Sequence, residues 1–161
     1  EQDQNMFAAV AKLKVPYIVM HMRGTPQTMK TLTEYENLIK EITSYIQQKI
    51  SMLEILGVKD VMIDPGFGFA KTATQNFQLL EHLDYLKVMN KPIVAGLSRK
   101  SMIWKTLGVK VEEALNGTTA LNMTALMKGA TILRVHDVKE AIEVVRLYTS
   151  LAGYQASVTG N

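Results

Sequence analysis

Four short apolar runs recur along the chain, at Tyr17 to Met20, Val61 to Ile63, Ile93 to Ala95 and Thr131 to Leu133. Each stops abruptly at glycines or charged residues, and each is followed by a loop and a helical stretch. Continuous apolar runs of this length fit strands of a parallel sheet, covered on both faces. Between them, Leu32 to Leu56 carries apolar residues at 35, 38, 39, 42, 46, 50 and 53, a helical stripe. Thr33 with Glu36 fits a capping box for that helix, and Gly57 a stop. A second helix is expected over Phe77 to Val88. The stretch Lys100 to Lys128 is expected to split near Gly108 and to end at Gly129. A last helix is expected over Asp137 to Leu151. Asp137 and Glu140 form its acidic start, and Val138, Ala141, Ile142, Val145 and Tyr148 its buried stripe. A short helix over Gln4 to Leu13 opens the chain.

The pattern is α-(βα)₄ in a single domain over residues 1–161, with no linker and no low-complexity segment. Strand starts lie 44, 31 and 39 residues apart (17 to 61, 61 to 92, 92 to 131), which suits right-handed βαβ units and a parallel sheet. Two architectures satisfy this: a doubly wound open sheet, or part of a (β/α)₈ barrel. In both, ligands bind where the strands end. No G-x-G-x-x-G follows the first strand and no Walker lysine motif is present, which weighs against a nucleotide-binding open sheet.

Composition narrows the class. Apolar residues make up 47% and charged residues 20% of the chain, as in soluble globular proteins. The net charge of +3 is mild and its lysines and arginines are scattered, so nothing suggests nucleic acid. Absence of cysteine excludes disulfides and thiol chemistry and fits a cytoplasmic location. No apolar run approaches the roughly 20 residues that span a bilayer. The polar, acidic start is not a signal peptide. Lacking an initiating Met, the chain is expected to begin inside a longer protein.

The strand ends carry the candidate chemistry. Asp64 closes the second run and precedes Pro65 and Gly66. A carboxylate there can accept two N–H bonds from an amidine-like heterocyclic edge, or it can be a turn-forming Asp. Gly66 and Gly68 permit positive φ and close backbone approach. Phe67 and Phe69 are either core or walls for a flat ligand. Gly96, Ser98, Arg99 and Lys100 follow the third run. They make either an anion site at a helix start or a solvated basic turn. Arg134 and His136, two apart, project to one face and suit a phosphate or pyrophosphate, although a lone His is more often structural. His21 fits a supporting or structural role, and His82 the surface. Three separated histidines and no cysteine make no metal cluster. The polar stretch Asn116 to Asn122 carries no assigned chemistry, and most of the ten methionines fill core gaps.

Taken together, Val19-Met20-His21-Met22-Arg23-Gly24, Asp64-Pro65-Gly66-Phe67-Gly68-Phe69-Ala70-Lys71, Gly96-Leu97-Ser98-Arg99-Lys100 and Arg134-Val135-His136-Asp137 resemble dihydropteroate synthase. Each motif alone is moderately specific; four in order are strong. The resemblance implies a TIM barrel that joins 6-hydroxymethyl-7,8-dihydropterin pyrophosphate to p-aminobenzoate, releasing pyrophosphate, in folate synthesis. Sulfonamides compete with p-aminobenzoate in that family. By the resemblance, Asp64 would bond the pterin's amino and ring N–H groups, and Lys100 its carbonyl edge. Met20 would line the pterin pocket, and Gly96 would let the pterin approach the backbone. Phe69, with Lys71 nearby, would wall the aminobenzoate ring. Ser98, within the Ser98-Arg99-Lys100 turn, would face its carboxylate. Arg134 would stack on the pterin and, with His136, hold the departing pyrophosphate. Mg²⁺ is expected as cofactor, and a homodimer involving Val144 to Tyr148 as the assembly.

Only strands five to eight of such a barrel are expected here, since a complete one takes about 250 residues. The family's earlier motifs, including the residues that help place the metal, have no counterpart. The segment is therefore expected to be inactive alone. Two other readings fit less of the sequence. A methyltetrahydrofolate-corrinoid methyltransferase domain would also use a strand-end Asp, but has no need of both a carboxylate-binding and a pyrophosphate-binding motif. The other is a non-catalytic half-barrel that binds a ligand or assembles with a partner.

Overall fold

A computed structural model describes residue 3 and residues 5–159, the last six of these by backbone alone. Helix α1 spans Met6–Leu13, β1 Tyr17–Met20, α2 Leu38–Ile55, β2 Val61–Asp64, α3 Ala73–Glu81 and β3 Val94–Ala95. Helices α4 (Ser101–Leu107) and α5 (Leu115–Met127), strand β4 (Ile132–Leu133) and α6 (Val138–Thr159) complete the chain. Of the expected first helix, Gln4 lies outside the described residues.

The strands run parallel in chain order. β1 pairs with β2 in a register that sets Met20 opposite Asp64. An Ile63–Ile93 bridge joins β2 to the third strand, and β3 pairs with β4 through Val94–Ile132 and Ala95–Leu133. No reversal of strand order occurs among these four, so the open-sheet switch point is absent from the described residues. The alternation of side chains sorts the faces. Val19, Val61 and Ile63 are buried against the helices with Ile42, Ile46, Ile50 and Leu53 of α2. Ile18 on the opposite face is 42% exposed, so that face is open. Burial of each full aliphatic side chain on the helix side contributes about 1.5–3 kcal/mol.

Four expectations are corrected. α2 begins at Leu38, not Leu32, with Asn37 as its cap: the Asn37 side chain accepts from the Lys40 N–H. Residues before it are drawn into tertiary bonds instead. Thr33 O accepts from Gln75 Nε2 at 2.7 Å, and Tyr35 donates its hydroxyl to Ala70 O at 2.9 Å. The second helix starts earlier, at a Thr72–Gln75 capping box. It breaks at His82, and a 3₁₀ segment over Leu83–Met89 follows. β4 is only two residues long, so Arg134 and His136 sit on the loop beyond it. Among the α6 residues whose side chains are described, Ala141 is buried as expected and Tyr148 half-buried, but Val144 is buried while Val138, Ile142 and Val145 are exposed. The helix is rotated from the expected stripe because α5 packs on its Ala141–Val144 side. Gly108 ends α4 as expected, with φ +67°.

Candidate active site

The ends of β2, β3 and β4 meet at one rim. Asp64 is 3% exposed at the end of β2. Its Oδ1 accepts from the Gly66 N–H at 2.8 Å, an Asx-type turn that fixes the carboxylate. Its Oδ2 lies 3.4 Å from Arg134 Nη2. Gly66 has φ +72°, and a Cβ there would stand 2.0 Å from the His21 carbonyl oxygen. Only glycine lets the β2 turn press so closely on the end of β1. The turn continues through Gly68, whose N–H donates to buried Asn76 Oδ1 at 2.7 Å. Phe67 is swallowed by the core, whereas Phe69 stays half-buried at the rim. That separates the two aromatic residues the sequence left equivalent.

Lys100 stands across this turn. Its ammonium sits 4.4 Å from the centre of the Phe69 ring, a cation–π contact. Burial, then the nearby Arg134 charge, lowers its pKa from the ordinary lysine value. Arg134 reaches back over β3, and a Cβ on Gly96 would lie 2.6 Å from its Nη2. Gly96 thus makes room for the Arg134 guanidinium, which occupies the space expected for a ligand. Met20, half-buried and in register with Asp64, completes the floor. Asp64, Phe69, Gly96, Lys100, Arg134 and Met20 are therefore brought together.

Three residues expected at the ligand, Lys71, Ser98 and Arg99, have protein partners. Lys71 is buried and turned away from the rim. Its Nζ bonds Gly66 O at 2.9 Å, Phe69 O at 3.0 Å and His21 Nδ1 at 3.1 Å. It struts the Asp64–Lys71 turn from beneath, because two of its loop's carbonyls point inward and need a donor. Burial is the main cause that drops its pKa to about 7, with Asp64 pulling the other way. His21, wedged between the Tyr35 and Tyr45 rings, falls to about 3, chiefly by burial and then by the Lys71 and Arg23 charges. Neutral His21 can therefore accept from the Lys71 ammonium.

Arg99 is likewise committed to protein groups. Its Nε and Nη2 donate to the two carboxylate oxygens of Asp137 at 3.0 and 2.9 Å, and its Nη1 to Val111 O and Glu112 O at 3.0 and 2.7 Å. Asp137 stands at the start of α6 as expected, its carbonyl accepting from the Ala141 N–H; its carboxylate is bonded by Arg99, which holds its pKa below the ordinary value. Ser98 is buried, and its Oγ accepts from the His136 N–H at 3.2 Å. His136 itself is exposed. Thr118, in the stretch given no chemistry, accepts from the Arg99 N–H at 3.0 Å. Its sequence signal was the four-residue spacing to Asn122, which puts two polar residues on one buried helix face. Among the described residues no three His, Asp or Glu groups converge as a metal site. With Arg134 set against its outer oxygen, Asp64 does not fit Mg²⁺ either.

This geometry has relatives. The profile of the family described as pterin binding enzyme matches residues 1–136. The chain belongs to that family. It is 40% identical over 141 residues to the dihydropteroate synthase of Escherichia coli strain K12, a match covering 86% of this chain and 50% of that protein. The crystal structure of dihydropteroate synthase from Thermus thermophilus in complex with 6HMPPP is 34% identical. It has a TM-score of 0.89 and is matched over 94% of this chain and 61% of that one. Xanthomonas albilineans dihydropteroate synthase with 4-aminobenzoic acid is 33% identical. Its TM-score is 0.86, with 94% of this chain and 54% of that one covered. The chain spans about half the length of the curated relatives it matches. No described helix is long and apolar enough to cross a membrane.

Proposed function

We propose that this chain supplies strands five to eight of a dihydropteroate synthase barrel, carrying the pterin and aminobenzoate side of its site in folate synthesis. The observation that supports this best is the buried Asp64 carboxylate, fixed through one oxygen by Gly66 and with the other only in long contact with Arg134. A pterin's amino and ring N–H groups form the two-donor edge such a carboxylate takes. Arg134 gives up its long contact to Asp64 and stacks on the pterin as the ligand enters. Lys100 meets the carbonyl edge, and Phe69 walls the aminobenzoate ring. The relatives solved with 6HMPPP and with 4-aminobenzoic acid support the same two substrates.

The reaction breaks the pterin methylene C–O bond, and the electron pair leaves on pyrophosphate. The aniline nitrogen then attacks the methylene carbon and loses a proton. Arg134 and His136 stabilise charge developing on the leaving group. Mg²⁺, which would lower the cost of that charge, belongs with pyrophosphate and with ligands outside this chain. A homodimer and a cytoplasmic location accompany this reading. The exposed Val138, Ile142 and Val145 of α6 suit the dimer contact. Sulfonamides would compete for the Phe69–Lys100 wall.

Calorimetry with 6-hydroxymethyl-7,8-dihydropterin pyrophosphate tests the assignment. Asp64→Asn is expected to weaken binding by about 1–3 kcal/mol, the scale of a lost charged hydrogen-bond partner. Unchanged affinity would remove Asp64 from the pterin site.

A further inference from the structure

β4 pairs over only two residues, Ile132 and Leu133, so the strand itself cannot hold the loop that carries Arg134 and His136. Something else must. The loop after β3 does it through two adjacent residues. Ser98 Oγ accepts the His136 N–H, and Arg99 grips the Asp137 carboxylate with a two-pronged fork. The third Arg99 nitrogen donates to two carbonyls of the segment before α5, and the Arg99 N–H is tied to Thr118 on α5. Lys100 follows directly in the chain. Arg99 also has φ +53°, the left-handed region that a side-chain-bearing residue enters only when its surroundings impose it.

We infer that Arg99 is a positioning residue, whose fork on Asp137 locks the Lys100 loop to the Arg134–His136 loop and so sets where pyrophosphate lies relative to the pterin edge. This rests on the proposed function. A guanidinium suits the task because four of its N–H groups are used at once, in fixed directions, on two other segments. A point charge could hold one partner, not the set. Glu112 and Glu140 also lie near the guanidinium and add to its positive hold, but neither meets the fork. The ion pair is only partly buried, with side-chain exposures of 25% and 17%. Its contribution is therefore direction more than energy.

The test titrates the chain with inorganic pyrophosphate and, separately, with 6-hydroxymethylpterin. Hydrogen exchange is followed at the His136 and Ile63 amides. Arg99→Met and Asp137→Asn should each weaken pyrophosphate about 10-fold or more, a loss of about 1.4 kcal/mol. Pterin affinity should stay within about 2-fold, and the two substitutions combined should cost no more than one, as partners in a single contact do. Arg99→Lys, which keeps the charge and loses the fork, should behave as Arg99→Met does. Exchange at His136 should quicken, and at Ile63 it should not. Rescue by Lys, equal loss of both ligands, or unchanged exchange at His136 would overturn the inference. A parent chain that binds neither ligand would instead overturn the proposed function, and the inference with it. A parent chain that binds pterin but not pyrophosphate would overturn the inference alone.

Discussion

Lys71 shows how far a residue's partners can alter its chemistry. In the sequence it is a basic residue ending a glycine-rich turn. In the fold its amine is under that turn, bonded to Gly66 O, Phe69 O and His21 Nδ1. Burial lowers its pKa to about 7, whereas an unfolded lysine titrates near about 10.4. Between those values the unfolded chain binds more protons than the folded one. Stability therefore rises with pH from about 7 towards 10, with a slope of at most about 1.4 kcal/mol per pH unit from this residue. Lys71→Met should lower stability overall, by stranding two carbonyls, and should flatten that slope. Denaturant melts at pH 7 and 9 measure both; equal slopes in parent and variant would refute the lowered Lys71 pKa. His21 acts in the acid range. With its pKa at about 3 the imidazole stays neutral in the fold, so its contribution is lost as pH falls from about 6.5 to 3.

At the scale of elements, the closest backbone packing at the site joins the β2 turn to the end of β1 through Gly66. Gly66→Ala combines a positive φ with a methyl 2.0 Å from a carbonyl oxygen that belongs to backbone and cannot swing aside. Gly57 has a similar φ of +81° but nothing within 4 Å of its added Cβ. Gly57→Ala should therefore cost only the conformational strain, about 1–2 kcal/mol. Gly66→Ala should cost more than that and should also disturb pterin binding, since Gly66 N–H orients Asp64. Denaturant midpoints compare them, and equal costs would mean the two turns do not press together. Helix boundaries followed the same logic. The apolar stripe of α2 was legible in the sequence, but its start was not. The bonds that hold Thr33 and Tyr35 out of the helix come from Gln75 and Ala70, 42 and 35 residues further on.

For the whole molecule, four parallel strands in chain order leave one face only partly covered among the described residues, with Ile18 and Ile132 exposed at 42% and 37%. A site open on that side admits water, and charge leaving on pyrophosphate is then met by protein cations from one side only. The isolated chain should bind pterin through Asp64 yet form no dihydropteroate when both substrates and Mg²⁺ are supplied. Product detected by chromatography at a rate above the uncatalysed background would refute this.

The sequence by itself determined the order of strands and helices, because hydrophobic spacing and glycine stops act over a few residues. It also determined which strand ends carry polar groups, and through four ordered motifs it pointed to the pterin-binding family. The partners of those polar groups were left open. Lys71 could have faced solvent, Arg99 a ligand, and Asp137 the start of α6. Only the tertiary structure turned Lys71 inward and set Arg99 on Asp137. It also laid Arg134 over Gly96 towards Asp64. Lys71 and His21, Arg99 and Asp137, and Arg134 and Asp64 are each separated by dozens of residues, so their geometry depends on how the strands are brought side by side, and local spacing carries no record of that.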